Sequence, residues 1–282
     1  MRLRSRKLCV ILLLLLCSVL TAIYYCLFVM KDDRQAPEIQ MTSDTVTVSV
    51  SADQKMLLEG VTATDLVDGD VTDYILIENI YGLTSENTAT ITYVAYDSAG
   101  NASKASRTVK FTDYTPPKFG QSSALVFASN TAPDVLSFMT AEDKFDGDIS
   151  HLVKGTLISD TTSLSYPGEH LVEFRVTNSM GDTQKITLPV DVYEARDYNA
   201  KVELTDYLVY IKAGEEFNPK KYLKTLSAGN DDYSLQDAGF IADVAMKSDV
   251  DVTKPGVYSV IYTVNYDNRY TGFTRLNVVV EE

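Results

Sequence analysis

The sequence predicts an all-β fold, with three tandem β-sandwich domains preceded by one N-terminal transmembrane helix. Three observations support this prediction. An acidic segment at residues 63–72 recurs at 141–150, and alternating apolar and polar residues follow each copy, while residues 8–30 are uncharged and mostly apolar. A segment that recurs at the spacing of a small domain indicates that one β domain is used in tandem.

The N-terminal helix is predicted from the apolar run and from the basic residues within 1–7 that precede it. About 20 apolar residues suffice to cross a bilayer. A cleaved signal peptide is the alternative, but its apolar core is usually ~7–15 residues and ends at small residues, whereas Tyr24 and Tyr25 lie here. We expect residues 8–30 to sit in the lipid bilayer. The basic segment would then be cytoplasmic and residues 31–282 extracellular, as a single-pass protein of the cell membrane.

The charge of the chain narrows the range of partners. The formal net charge is −14 and the sequence pI is about 4.6. An acidic surface repels nucleic acid, so we expect no nucleic-acid partner. All three cysteines (Cys9, Cys17 and Cys26) lie in or beside the apolar run. The domains after it therefore have no disulfide framework and depend on their cores.

Linkers divide the rest of the chain. A polar stretch precedes Pro37, and Pro116 and Pro117 mark a boundary, because proline cannot donate to a β ladder. The predicted segments are a cytoplasmic segment at 1–7, an anchor at 8–30, a linker at 31–36, and domains at 37–113, 114–194 and 195–282.

Strands are predicted wherever apolar and polar residues alternate. Thr and Val alternate strictly over residues 45–50, which is typical of a half-buried strand. The third domain lacks the acidic segment but keeps a Pro-Gly turn, at 255–256, that matches 167–168 in the second. Further strands are predicted near residues 75–80, 90–96, 106–111, 124–128, 152–158, 170–177, 184–193, 258–266 and 273–280.

The motifs of the three domains resemble a known family. They are Ala-x-Asp-x-x-Asp-Gly-Asp at 63–70 and 141–148, Asp-x-x-Gly-Asn at 97–101, the Pro-Gly turns, and Gly-Glu-x-Phe-x-Pro at 214–219. In this order they resemble the bacterial immunoglobulin-like domains of surface proteins, a module also found in pesticidal crystal proteins. The resemblance implies three immunoglobulin-like sandwiches. No domain has every motif, since Glu86-Asn87 replaces Pro-Gly in the first, Asn178 replaces the aspartate in the second, and the third lacks Asp-Gly-Asp.

The acidic segments are candidate calcium sites. Clusters of carboxylates suit Ca²⁺, which takes 6–8 oxygen ligands. The alternative is turn chemistry, because Asp-Gly is a turn dipeptide and aspartates cap nearby backbone amides. The spacing of an EF-hand is absent, so both interpretations stay open. The candidate ligands are Asp65, Asp68, Asp70 and Asp97 in the first copy, and Asp143, Asp146, Asp148 and Asn178 in the second.

The sequence gives no sign of catalysis. Neither His151 nor His170 lies in a nucleophile motif, and no G-x-S-x-G elbow or phosphate-binding glycine loop is present. We expect a membrane-anchored adhesive or structural spacer protein at the bacterial cell surface, and not an enzyme. The alternative is a sensory or accessory subunit of an envelope complex whose third domain binds a wall glycan or a partner protein. The tyrosines Tyr222, Tyr233 and Tyr270 are its candidate contacts.

Overall fold

The computed structural model describes residues 2–25, 33–131, 133–158, 163–194, 200–228, 231–234, 244–266 and 270–282. A helix, α1, spans Arg2–Tyr24. The membrane-spanning helix predicted over residues 8–30 is not found, because no helix of the described residues is both long and apolar enough to cross a membrane. Residues 26–32 of the predicted anchor and linker, and 195–199 at the start of the third predicted domain, lie outside the described residues.

The chain divides into two compact units, Met1–Thr112 and Asp113–Glu282. The first unit holds two sheets, with strand orders β1-β3-β4 and β2-β7-β6-β5, and a one-turn helix, α2 (Gln54–Leu57). Most neighbouring strands in these sheets pair antiparallel. We call these sheets the first sandwich. Its strands are β1 (Glu38–Met41), β2 (Thr45–Val48), β3 (Val61–Asp65), β4 (Gly69–Asp70), β5 (Ile75–Tyr81), β6 (Thr88–Tyr96) and β7 (Ala102–Phe111).

The second unit holds four sheets around two core clusters. The middle sandwich has sheets β8-β10-β11 and β9-β14-β13-β12. Its strands are β8 (Lys118–Gln121), β9 (Val126–Ala128), β10 (Met139–Asp143), β11 (Gly147–Asp148), β12 (Lys154–Leu157), β13 (Gly168–Thr177) and β14 (Thr183–Tyr193).

The last sandwich has sheets β15-β17-β18 and β16-β21-β20-β19. Its strands are β15 (Ala200–Leu204), β16 (Leu208–Lys212), β17 (Leu223–Ala228), β18 (Asp231–Ser234), β19 (Val244–Ser248), β20 (Gly256–Tyr266) and β21 (Tyr270–Glu281). The predicted boundary at 194/195 thus lies within the second unit, between two sandwiches that contact each other.

All three sandwiches share one strand order. In each, a short early strand pairs in parallel with the final strand: β2 with β7, β9 with β14, and β16 with β21. The remaining neighbours in these sheets pair antiparallel. The early strand and the final strand therefore run in the same direction, so the chain begins each of these sheets at one end and leaves at the opposite end.

The cores follow from the period-2 alternation of the long strands. Along β13 every second residue from His170 to Val176 is buried, and Phe174 is fully enclosed. Tyr93 and Tyr262 are also fully buried, and each donates its hydroxyl to a backbone carbonyl, that of Leu57 and of Pro219 respectively, at 2.7 Å. A buried hydroxyl needs such a partner. These tyrosines therefore belong to the core and are not available to a ligand.

Candidate metal centre

Each Asp-Gly-Asp segment forms a tight loop that its first aspartate holds together. Asp65 Oδ1 accepts hydrogen bonds from the backbone N–H groups of Val67 (2.8 Å) and Asp68 (2.9 Å). Asp143 Oδ1 does the same for Phe145 and Asp146. The glycine of each copy has a positive φ, +75° at Gly69 and +70° at Gly147, which a residue with a Cβ rarely adopts.

The second aspartate of each loop ties it to the turn after the neighbouring long strand. Asp68 accepts from Ser98 through the backbone N–H (2.7 Å) and the hydroxyl (2.9 Å). Asp146 accepts from Ser179 in the same way, at 2.6 and 2.7 Å. Because the same contacts occur twice, the two loops are equivalent sites that can be compared position by position.

The third aspartates serve local turns. Asp70 accepts from the backbone N–H of Thr72 at 3.0 Å, and Asp148 from that of Ser150 at 2.9 Å. Hydrogen bonds from the Thr72 and Ser150 hydroxyls and amides lower the pKa of Asp70 and of Asp148. These two predicted ligands therefore have the geometry of turn caps.

The two sites differ at the position after the long strand, where Asp97 stands in the first and Asn178 in the second. The buried Asn178 donates its amide to Asp143 Oδ2 and to the Tyr114 hydroxyl, both at 3.0 Å. Tyr114 in turn donates to Asp182 Oδ2 at 2.7 Å and stacks on Phe145. Burial and the adjacent Asp182 carboxylate raise the pKa of Tyr114, so the phenol remains a donor. The second site is closed by neutral donors.

In the first site, the carboxylate of Asp97 stands where the second site has the amide of Asn178. Asp97 accepts from the backbone and the side-chain amide of Asn101, at 2.8 and 2.7 Å. Burial raises the pKa of Asp97, but these hydrogen bonds outweigh it and lower the pKa. The Asn101 amide also donates to the backbone carbonyl of Asp33 at 3.1 Å, which holds the segment ahead of Pro37 at this end of the sandwich.

Three carboxylates meet as a result. One carboxylate oxygen from each of Asp33, Asp65 and Asp68 lies within 4.8 Å of the others. Asp65 is 8% exposed, and its Oδ2, like that of Asp33, is buried without a hydrogen-bond partner among the described residues. Of the predicted ligands, the structure thus brings together Asp65 and Asp68. No second group of His, Cys, Asp or Glu ligand atoms lies this close together in the described part of the chain, so Asp143, Asp146 and Asp148 do not form one, and Asn178 donates its amide to Asp143.

Asp33 is the member that sequence reasoning missed. A signal was present, because an aspartate stands four residues before proline at both domain starts, Asp33 before Pro37 and Asp113 before Pro117. The linker predicted at 31–36 includes Asp33. The structure shows that this residue belongs to the acidic end of the first sandwich.

A second notable site is the contact between the middle and last sandwiches. Arg275 on β21 is 6% exposed and donates two hydrogen bonds to Asp191 on β14, from Nε at 2.8 Å and Nη2 at 2.9 Å. Nη2 also donates to Glu169 at 2.6 Å. Burial lowers the pKa of Arg275, but the hydrogen bonds and charges of these acids outweigh it and raise the pKa. The bidentate geometry fixes both distance and orientation.

Apolar and polar contacts surround this ion pair. Leu208 and Val279 of the last sandwich pack against the core of the middle one. Asn277 donates to Gln121 at 2.8 Å, and the backbone N–H of Phe119 donates to the Tyr210 hydroxyl at 3.2 Å. Burial raises the pKa of Tyr210 to about 12. The two sandwiches thus share a packed face, which the predicted domain boundary at 194/195 did not indicate.

The predicted aromatic contacts of the third domain are only partly accessible. Tyr222 is half-buried and stacks on Phe217 with ring centroids 5.9 Å apart. Tyr270 is also half-buried, and the side chain of Tyr233 lies outside the described residues. Tyr222 ends a single helical turn directly before β17, and Tyr270 is the first residue of β21.

No family model and no curated protein matches the chain. Among solved structures, the CBM51-2 and INT domains of Clostridium perfringens ZmpB in complex with GlcNAc are 17% identical, cover 55% of this chain and 41% of that one, and give a TM-score of 0.23. Mouse cadherin-23 EC22-24 is 14% identical, and the match covers 87% of this chain and 99% of that one with a TM-score of 0.21. The protocadherin gammaB4 extracellular domain is 11% identical, and the match covers 89% of this chain and 52% of that one with a TM-score of 0.22. The chain spans about half or less of the ZmpB and protocadherin structures. At these values the likeness supports no argument about ligands.

Replacing Tyr114 with phenylalanine is expected to destabilise the second unit by about 1–2 kcal/mol, because Asn178 loses a buried hydrogen bond and Asp182 a partly buried one. Urea unfolding of the intact chain measures this change. Tyr74→Phe is the matched control, since Tyr74 is 64% exposed in the first unit. Equal effects of the two variants would contradict the structural role assigned to the Tyr114 hydroxyl.

Proposed function

We propose that this chain is a non-enzymatic structural or adhesive protein of the bacterial cell surface, built from immunoglobulin-like modules. The proposal rests chiefly on the joint between the middle and last sandwiches. A buried, bidentate ion pair at Arg275 and a packed apolar face hold two modules in one orientation. A spacer or an adhesive scaffold needs such fixed geometry, since a flexible joint would not transmit position from one module to the next.

The chemistry of the described side chains supports a non-catalytic role. His170 is buried, with Nε2 2.8 Å from the backbone oxygen of Tyr166, so this imidazole belongs to the core of the middle sandwich. The aspartates of both loops hold backbone amides and the serines of neighbouring turns. A general acid or base must instead reach a substrate proton.

The composition of the chain supports the proposed surface location. No cysteine occurs after Cys26, and the chain is strongly acidic. Such domains fold without disulfide chemistry and stay soluble in a crowded layer, because like charges repel. Nucleic acid is not a partner in this proposal.

The location is tested by an epitope tag placed after Glu282 in bacterial cells that express the chain. We expect antibody to label the tag on intact cells as strongly as on permeabilised cells. A tagged cytoplasmic protein in the same cells is the control for intactness. Labelling that requires permeabilisation would exclude a surface role.

The adhesive role is then tested by comparing the attachment of cells that express the native chain with that of cells expressing Arg275→Met, in which we expect attachment to weaken.

A second candidate function, glycan binding, is favoured by a cavity of about 430 Å³ at the contact between the middle and last sandwiches. Tyr193 and Phe273, in edge-to-face contact with centroids 6.3 Å apart, line it together with Tyr207. A cavity of this size with aromatic walls is within the usual range of ligand sites. Titration of the intact chain with soluble cell-wall glycan fragments tests it. We expect Phe273→Ala to weaken binding at least ten-fold and Tyr166→Ala, an exposed tyrosine outside the cavity lining, to leave it unchanged. No binding by the native chain would dismiss the candidate.

A further inference from the structure

We propose that the first sandwich binds one calcium ion through Asp33, Asp65 and Asp68, and that the equivalent site of the middle sandwich binds none. The proposal is independent of the surface role proposed above. It begins from the three carboxylate oxygens that lie within 4.8 Å of one another. A cation 2.3–2.6 Å from each oxygen fits that spacing, because two ligands on one calcium ion lie at most about 5 Å apart.

The buried oxygen of Asp65 is the second observation. Asp65 is more than nine-tenths buried, and while its Oδ1 receives two backbone N–H groups, its Oδ2 receives no donor from the described residues. The Oδ2 atom of Asp33 is also buried and receives no donor from the described residues. A buried carboxylate oxygen without a donor is unfavourable, and a nearby second carboxylate makes it more so. A bound cation removes both problems at once.

The middle sandwich shows how the same position is satisfied without a cation. There Asp143 Oδ2, the counterpart of Asp65 Oδ2, accepts the Asn178 amide at 3.0 Å. Tyr114 fills the adjoining space and stacks on Phe145 with centroids 5.0 Å apart. In the first sandwich the residue at the position of Asn178 is Asp97, which brings no donor to Asp65. The amide of Asn178 and the side chain of Tyr114 therefore distinguish the middle sandwich, which needs no cation here, from the first sandwich, which does.

The donor set favours calcium over other common metals. The ligands are all oxygens, whereas zinc sites usually contain histidine or cysteine. Magnesium demands near-ideal octahedral geometry and keeps its waters, while calcium accepts irregular sets of 6–8 oxygens completed by water. Three carboxylates and incomplete enclosure correspond to the weak end of the range, with a Kd of about 0.1–1 mM, as in extracellular calcium modules. The ion would hold Asp33, and with it the segment before Pro37, against the loop end of the sandwich.

Equilibrium dialysis and thermal unfolding of the intact chain, stripped of metal with a chelator, test the proposal. We expect one calcium ion per chain and an increase in the melting temperature of the first unit with calcium, and a much smaller increase with magnesium at the same concentration. Asp65→Asn preserves Oδ1 for its two N–H partners and should weaken calcium binding at least ten-fold. Asp143→Asn, the matched change in the middle sandwich, should leave calcium binding unchanged.

Two further variants keep the test decisive. Asp33 lies ahead of the first strand, so Asp33→Asn tests the site even if Asp65→Asn does not fold. This variant should also weaken calcium binding at least ten-fold. Asp97→Asn copies the middle sandwich and should abolish the calcium response while the melting temperature without calcium stays the same or rises. No bound calcium, two ions per chain, or equal losses in Asp65→Asn and Asp143→Asn would each overturn the proposal.

Discussion

Replacing Arg275 with methionine is expected to destabilise the second unit by about 3–5 kcal/mol. Arg275 is 6% exposed and Asp191 is 7% exposed, so removal of the cation leaves a buried carboxylate without its charge partner. Breaking one side of a buried ion pair usually has an effect of this size. Glu169 contributes less, because its side chain is 53% exposed and water already solvates it.

Urea unfolding of the intact chain, monitored by a signal from the second unit, measures the change in the free energy of unfolding. Arg175→Met is the matched control, because Arg175 is exposed on β13 and should change stability by less than about 0.5 kcal/mol. The double variant Arg275→Met with Asp191→Leu should recover most of the loss, since it removes both charges together. A double variant as unstable as the single one would mean that the arginine acts through its packing and not through the ion pair.

Replacing Phe174 with alanine is expected to destabilise the second unit by about 3–5 kcal/mol as well. Phe174 is fully enclosed in the core of the middle sandwich. Truncation removes its apolar contacts and leaves a cavity that the surrounding strands fill only in part. Leu208 and Val279 of the last sandwich pack against this same core. The last sandwich should therefore lose stability together with the middle one.

Native-state hydrogen exchange resolves this effect strand by strand. We expect protection to fall in β13 and β14 and also in β16 and β21, while β6 and β7 of the first unit stay unchanged. Thr156→Ala, an exposed change on β12, serves as the control. A loss confined to the middle sandwich would show that the shared face does not couple the two.

The sequence allowed the long strands to be predicted but not the contacts between modules. Strands β13, β14, β20 and β21 were found near their true positions because alternation over many residues is a strong local pattern. Strands β3 and β10 were not found, because they are short, contain alanine, and end in the acidic loops.

The candidate metal site was predicted in part for the same reason. The Asp-Gly-Asp loops have a local sequence pattern, so Asp65 and Asp68 could be predicted. Asp33 is held beside them by a hydrogen bond from the Asn101 side-chain amide to the Asp33 backbone carbonyl, and no local pattern encodes that contact. Arg275 and Asp191 are likewise remote in the chain, and their pairing depends on how two sandwiches pack. Such partners follow from tertiary structure alone.

The parallel pairing of early and final strands has a mechanical consequence. When the two ends of a module are pulled apart, strands that run in the same direction slide along each other, so every hydrogen bond between them bears the load together. An antiparallel pair at a hairpin would instead open one bond at a time. The pair of β16 and β21, from Leu208↔Asn277 to Lys212↔Glu281, is longer than the corresponding pairs of the other two sandwiches. The last sandwich is therefore expected to withstand the greatest tensile force.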